Sequence, residues 1–125
     1  MSARIEIWGG RRVLVCADAG PLLACEGDIN DFLSQAWEHE ADWLALPVRR
    51  LGPDVLMLRT RLAGEVAQKF VNYRVGLAVI GDISAAVVAS DALGDYVREC
   101  NRGRQVWFMP DLEILQAALT AGSTK

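Results

Sequence analysis

Glu65, Lys69 and Tyr73 stand four residues apart, a spacing that sets an acid, a base and a phenol along one side of a helix. Such a trio could perform acid–base chemistry on a small polar substrate, with Lys69 as base or anion holder, Glu65 as its partner and Tyr73 as proton donor. The same spacing also describes an ordinary Glu-to-Lys pair on a solvated face, worth about 0.3–0.5 kcal/mol, with Tyr73 packing at the helix end. A second group is Asp82 and Ser84 in Gly81-Asp82-Ile83-Ser84, together with Arg49 and Arg50. Each follows a short apolar run that reads as a strand, so they gather at the carboxyl ends of a parallel sheet, where open α/β sheets hold ligands. Asp18, Ser90 and Asp91 fall at the same mouth. Gly-Asp after a strand is equally an ordinary turn.

Other chemistries lack their residues. Cys16, Cys25 and Cys100 are an odd set without CxxC spacing, so neither a disulfide framework nor a tetrahedral zinc site follows from them, and a reducing cytoplasm suits them. Cys25, in a loop beside Glu26, is expected to be the most exposed of the three. His39 is the single histidine, and nothing in the local sequence brings it to a thiol. Gly9-Gly10 and Gly64 are not followed by the Gly-Lys-Ser/Thr of a phosphate loop. No metal and no cofactor is expected.

The elements that must position these residues alternate. Arg4-Ile5-Glu6-Ile7-Trp8, Gly9-Gly10 and Arg12 to Cys16 read as a hairpin, with glycines supplying positive φ in the turn. Asp28 is a candidate N-cap for a helix carrying Ile29, Phe32, Leu33, Ala36 and Trp37. Trp43 to Val48 suits a buried strand, with Pro47 near its end. From Asp54 to Tyr73 the apolar residues Val55, Leu58, Leu62, Val66 and Phe70 keep helical spacing, the longest such run in the chain, with Asp54 as cap. Val75–Ile80 reads as a central strand, while Ile83 to Ala89 is ambiguous. Ser90 caps a helix through Asn101, with Gly103 expected in the left-handed position after it. Gln105–Met109 is the last strand, and Pro110-Asp111 opens a final helix closed by Gly122. Alternating strands and helices after a hairpin imply a mixed, mostly parallel sheet of about five strands with four helices. In this frame Tyr73, Asn101, Arg102 and Gly103 fall at the amino mouth.

The 125 residues, 52% of them hydrophobic and 23% charged, suffice for a single domain over 1–125 with a polar tail at 121–125. No apolar run reaches the roughly 18–20 residues of a membrane span, and the start lacks the pattern of an export signal. A net charge of −3 argues against a nucleic-acid surface. A soluble, cytoplasmic protein without nucleic-acid or membrane partners is the expectation.

By element order the chain resembles the STAS domain, whose partner-switching members are phosphorylated on a serine at the helix start after the third strand. Here that stretch is Arg50-Leu51-Gly52-Pro53-Asp54-Val55, without Ser or Thr until Thr60, so the resemblance does not extend to the switch. Two blocks are more specific: Ala63-Gly64-Glu65 with Gln68-Lys69-Phe70 and Asn72-Tyr73, and Gly81-Asp82-Ile83-Ser84 followed by Glu99-Cys100-Asn101-Arg102-Gly103-Arg104-Gln105-Val106-Trp107-Phe108. They resemble the bacterial family of domain of unknown function 4180, departing from it at Val55-Leu56-Met57 and at Cys100. The resemblance implies a fold and no reaction.

Four tryptophans are a large apolar payload in so small a chain. Trp43 and Trp107 lie on strands and belong in the core, whereas Trp8 at the hairpin tip and Trp37 late in the first helix are candidate interface residues. The expected function is a STAS-like interaction or ligand-binding domain that self-associates, or holds a protein partner or small molecule. The alternative is a small enzyme using Glu65, Lys69 and Tyr73, or Asp82 and Ser84, on a small polar substrate.

Overall fold

A computed structural model of the chain describes residues 3–52, 55–57 and 61–122. The hairpin forms from β1 (Arg4–Trp8) and β2 (Arg11–Val15), antiparallel from Arg4 opposite Val15 to Trp8 opposite Arg11. Gly9 and Gly10 take φ values of 61° and 78°, the positive pair that a tight two-residue turn requires. There follow α1 (Glu26–Glu38), β3 (Trp43–Pro47), a 3₁₀ turn over Val48–Arg50, α2 (Leu62–Asn72), β4 (Gly76–Ile80), α3 (Ser84–Ala89), α4 (Asp91–Arg102), β5 (Val106–Met109) and α5 (Leu112–Gly122). The five strands lie side by side in chain order, and β2 to β5 are parallel. The expected α/β architecture is present, with the ambiguous stretch before Ser90 resolved as the short helix α3.

Because each strand is added on the same side of the last, right-handed crossovers carry the connecting helices to one face of the sheet. Leu14, Leu44, Leu46, Leu77 and Val79 point to that face and pack with Ile29, Phe32 and Leu33 of α1 and Leu62, Val66 and Phe70 of α2. The alternate positions Val13, Val15, Trp43, Ala45 and Ala78 point to the other face, where Leu115 and Leu119 of α5 cover them, as the two-residue period of a strand dictates. α5 runs from β5 back to the hairpin. Its last turn lies so close over Gly9 that a Cβ there would stand 2.3 Å from the Leu119 carbonyl oxygen. On this second face the Trp43 and Trp107 rings stack at 4.5 Å and 31°, and the Trp107 indole N–H donates to the Gly103 carbonyl at 2.8 Å. At the outer edge of β5, Asn101 brackets Phe108, accepting from its N–H at 2.7 Å and donating to its C=O at 3.3 Å.

Three expectations are corrected. The helix read from Asp54 begins at Leu62, because Arg61 takes a left-handed φ of 61° that a continuous helix excludes. Val55 and Leu56 form a turn instead, α1 is the longest helix among the described residues, and Asp54 lies outside them. α1 itself begins earlier than Asp28: Cys25 is its cap, and Asp28 in the first turn reaches back to accept from the Ala24 and Cys25 N–H groups at 2.9 and 3.1 Å. Gly103 follows α4 in an extended conformation, φ −87° and ψ −164°, so the chain leaves that helix without a left-handed residue.

Bonds from the Ala24 N–H foremost, then from the Cys25 thiol and the Cys25 N–H, hold the Asp28 carboxyl below the usual carboxylate range. A depressed folded pKa contributes stability that is complete above the unfolded value, about 3.9, and is lost as pH falls through the folded one. The first turn of α1 is therefore expected to fray only below the ordinary aspartate range. A carboxyl-carbon NMR titration with Asp28 at an unshifted midpoint would contradict this.

α1 and α2 both end in Schellman motifs built without glycine. Ala41 N–H returns to Ala36 C=O and Glu40 N–H to Trp37 C=O; Val75 and Arg74 repeat the pattern on Phe70 and Val71. Glu40 and Arg74 hold φ of 54° and 60°, which costs an L-residue roughly 1–2 kcal/mol. Glu40→Gly removes that strain at some cost in chain entropy. The expected net stabilisation is about 0.5–1 kcal/mol, visible as a raised urea midpoint with unchanged slope.

Candidate functional site

The carboxyl mouth is organised by one buried cation. Arg50 ends the 3₁₀ turn after β3, and only 6% of it is exposed. Its Nε donates to the Pro21 carbonyl at 2.8 Å, one Nη to the Ala17 carbonyl at 2.8 Å, and its guanidinium lies 5.3 Å from the Phe32 ring centre. Only a planar fork reaches two carbonyls of one loop in this way, so the side chain fixes the path from β2 to α1. The Arg50 and Leu23 backbones complete the clamp: Leu23 N–H donates to Arg50 C=O at 2.7 Å, and Gly52 N–H to Leu23 C=O at 2.8 Å.

Hollows flank this loop on both sides. One, of about 380 Å³, opens on the sheet face covered by α5; Val15, Ala45, Pro47, Ile80 and Leu112 form its apolar wall, with Arg4 and Asp18 as its charged groups. The other, about 330 Å³, lies toward α1 between the loop, Gln35, His39 and Arg50. Cys16, Ala17 and Ala19 border both. Burial pushes the Cys16 thiol up to about 11, against a smaller opposing pull from Arg50, so at neutral pH it is a protonated, apolar wall rather than a nucleophile. Arg4, at 2.8 Å from Glu6, is a mouth residue that the sequence pattern alone does not single out. The available signal was orientation: an antiparallel first strand must begin where its parallel neighbours end.

The sequence candidates fall in three places. Of the mouth group, Arg50 is committed to the loop carbonyls, while Arg49 is exposed. Asp82 accepts from the Ser84 N–H at 2.9 Å; bonding from the Ser84 side chain and then its backbone lowers the Asp82 pKa. That pair closes on itself at the start of α3. Glu65, Lys69 and Tyr73 run along the outer side of α2, and among the described residues no ion pair joins Glu65 to Lys69. Tyr73 instead meets Trp37 edge to face, with ring centres 5.0 Å apart. Trp8 is half-buried against the α5 cluster, whereas Trp37 and Tyr73 are 50% and 46% exposed.

A third hollow, about 20 Å³, lies between α2, α4 and the sheet and is lined by apolar residues with Tyr96. The Tyr96 hydroxyl donates to the Ala63 carbonyl at 3.3 Å, and burial raises its pKa. A fourth, of about 240 Å³, lies at the amino mouth. Among the described residues no group of three His, Cys, Asp or Glu side chains could hold a metal, and no helix is long and apolar enough to cross a membrane.

Residues 8–119 match the family described as Domain of unknown function (DUF4180). No curated protein and no solved structure matches the chain.

Proposed function

The chain belongs to the domain of unknown function 4180 family, and on that footing we propose that it is a binding domain whose ligand occupies the larger hollow at the carboxyl mouth. The observation that carries this reading is the hollow left at one corner of the sheet, beside Leu112 at the start of α5. α5 crosses from β5 to the hairpin turn, so the ends of β2 and β3 and the start of β1 keep an apolar floor under a charged rim. A hollow of about 380 Å³ has the size of small-molecule sites, roughly 300–1,000 Å³, and lies where open α/β sheets receive ligands. Its lining suits a compact molecule with an apolar body and a polar end that meets Arg4 or Asp18.

The test is a fragment screen followed by amide chemical shifts. Compounds that bind should shift Val15, Asp18, Ala45 and Ile80 together, and Ala19→Trp, which plugs the opening from an exposed loop position, should abolish the response. Binders that leave these four signals unmoved, or an unchanged response in Ala19→Trp, would sink the reading.

A second reading is self-association, supported by the exposed Trp37–Tyr73 pair, since aromatic side chains are enriched where surfaces meet. Sedimentation velocity distinguishes it: a dimer that Trp37→Ser converts to monomer supports the pair as the contact, and a wild-type monomer at high concentration removes it. The enzymatic reading draws least support, because Glu65, Lys69 and Tyr73 border none of the four hollows.

A further inference from the structure

The amino mouth carries an unbalanced cluster of charge. Four parallel strands begin there side by side, and the residues at or just before their starts are Arg11 on β2, Asp42 before β3, Arg74 before β4, and Arg104 with Gln105 before β5. All five line one hollow of about 240 Å³, with Trp43 and Gly76 at its back. At the usual strand spacing the row from Arg11 to Arg104 spans about 14 Å. Three arginines thus line one space with a single acidic residue among them, in a chain whose net charge is −3.

The carboxylate is already engaged. Asp42 accepts from the Arg12 N–H at 2.9 Å. Arg12 turns its own guanidinium away, donating to the His39 carbonyl at 2.8 Å and the Glu40 carbonyl at 3.2 Å, which satisfies the end of α1. Arg11, Arg74 and Arg104 have no such occupation: among the described residues no carboxylate or carbonyl accepts from their side chains. Helix ends favour nearby cations, and that accounts for single arginines beyond α2 and α4. It does not account for three converging on one hollow, where like charges repel.

We propose that this hollow is an anion site, taking a phosphate group as the free ion or as the monoester of a small molecule. Guanidinium forks match phosphate oxygens in geometry, the Gln105 amide can add a donor, and a compact dianion offsets the local excess. A long polyanion fits worse, because the chain as a whole repels it. The site is independent of the carboxyl-mouth hollow and stands or falls separately.

The experiment follows the arginine Nε–Hε resonances during titration with inorganic phosphate at constant ionic strength. Saturable shifts are expected at Arg11, Arg74 and Arg104, with Arg4 and Arg98 unmoved. Arg104→Glu should weaken binding at least 10-fold, and Arg74→Gln with Arg104→Gln should abolish it, all with unchanged far-ultraviolet circular dichroism. Glycerol 3-phosphate binding more tightly than phosphate would assign the site to an ester, and equal affinity to the free ion. Shifts spread evenly over all arginines, variants that bind as the wild type does, or a DNA duplex that outcompetes phosphate would each overturn the proposal. So would destabilisation of α2 by Arg74→Gln in a protein that never responds to phosphate.

Discussion

Gly76→Ala is expected to cost about 3 kcal/mol and to lower the melting temperature by about 10 °C. A Cβ at this position would fall 2.4 and 2.5 Å from two ring atoms of Trp43, a closeness no side chain tolerates. Gly76 stands directly opposite Trp43 in the parallel register, so the added methyl meets the ring and not a flexible end. The ring cannot simply swing away. Trp107 stacks on it, and Trp107 is itself tied to Gly103 through its indole N–H. To admit the methyl, the stack must open. The near-ultraviolet circular dichroism of the tryptophans should therefore collapse while the far-ultraviolet spectrum persists. A variant melting within about 2 °C of the wild type would show that the stack has room to spare.

The second large effect belongs to Arg50. Arg50→Met keeps much of the side-chain volume and removes the fork, leaving the Pro21 and Ala17 carbonyls without their donor. An acceptor left without its donor costs about 1–3 kcal/mol when fully buried and less where, as here, it is only part-buried, so a loss of roughly 2 kcal/mol is expected. Arg50→Lys should recover little, because one ammonium cannot hold both carbonyls and the face of Phe32 at once. Amide exchange would localise the damage: Leu23 and Gly52, protected through the Arg50 and Leu23 carbonyls, should exchange much faster in both variants. A lysine variant as stable as the wild type would mean that charge alone, without geometry, holds the loop.

The parts of this fold that were legible in the sequence are those written in side-chain period. Alternation in Arg4–Trp8, the continuous run before Gly81 and the three-to-four spacing around Val66 and Phe70 each specify one element, and the structure places β1, β4 and α2 there. What periodicity cannot show is a single backbone dihedral. The apolar spacing of Val55 and Leu58 runs on into that of Leu62, yet Arg61 turns left-handed between them. The break rests on one residue's backbone conformation, and no window of composition records it. Asp28 was recognised as a capping residue but assigned the wrong station, because aspartate can satisfy a helix start equally from the cap or from the third position by reaching back.

The mouth was legible as a location more than as a set of roles. Arg50 was expected to face a ligand; its burial depends on the neighbouring β2–α1 loop presenting two carbonyls, an arrangement 29 and 33 residues distant in sequence. Asp82 and Ser84 do lie side by side, bonded to each other at a helix start. Arg4 could be found only after the direction of β1 was known, since an antiparallel edge strand brings its first residue to the opposite end from every other strand start.

The return of α5 to the hairpin has a consequence for the order in which the molecule can assemble. Strands β2 to β5 each pair with the strand made just before, so a sheet can grow by local steps as the chain lengthens, each closing only the connection just synthesised. One face is roofed as it grows, helix by helix. The other waits: Val13, Trp43 and Ala78 gain their cover only when Leu115 and Leu119, far along the chain from the hairpin, swing back across it. Until then a nascent molecule carries a complete sheet with one bare, tryptophan-rich side, a species prone to stick to its neighbours. Synthesis of the last described helix is therefore the moment at which this protein passes from adhesive to self-contained.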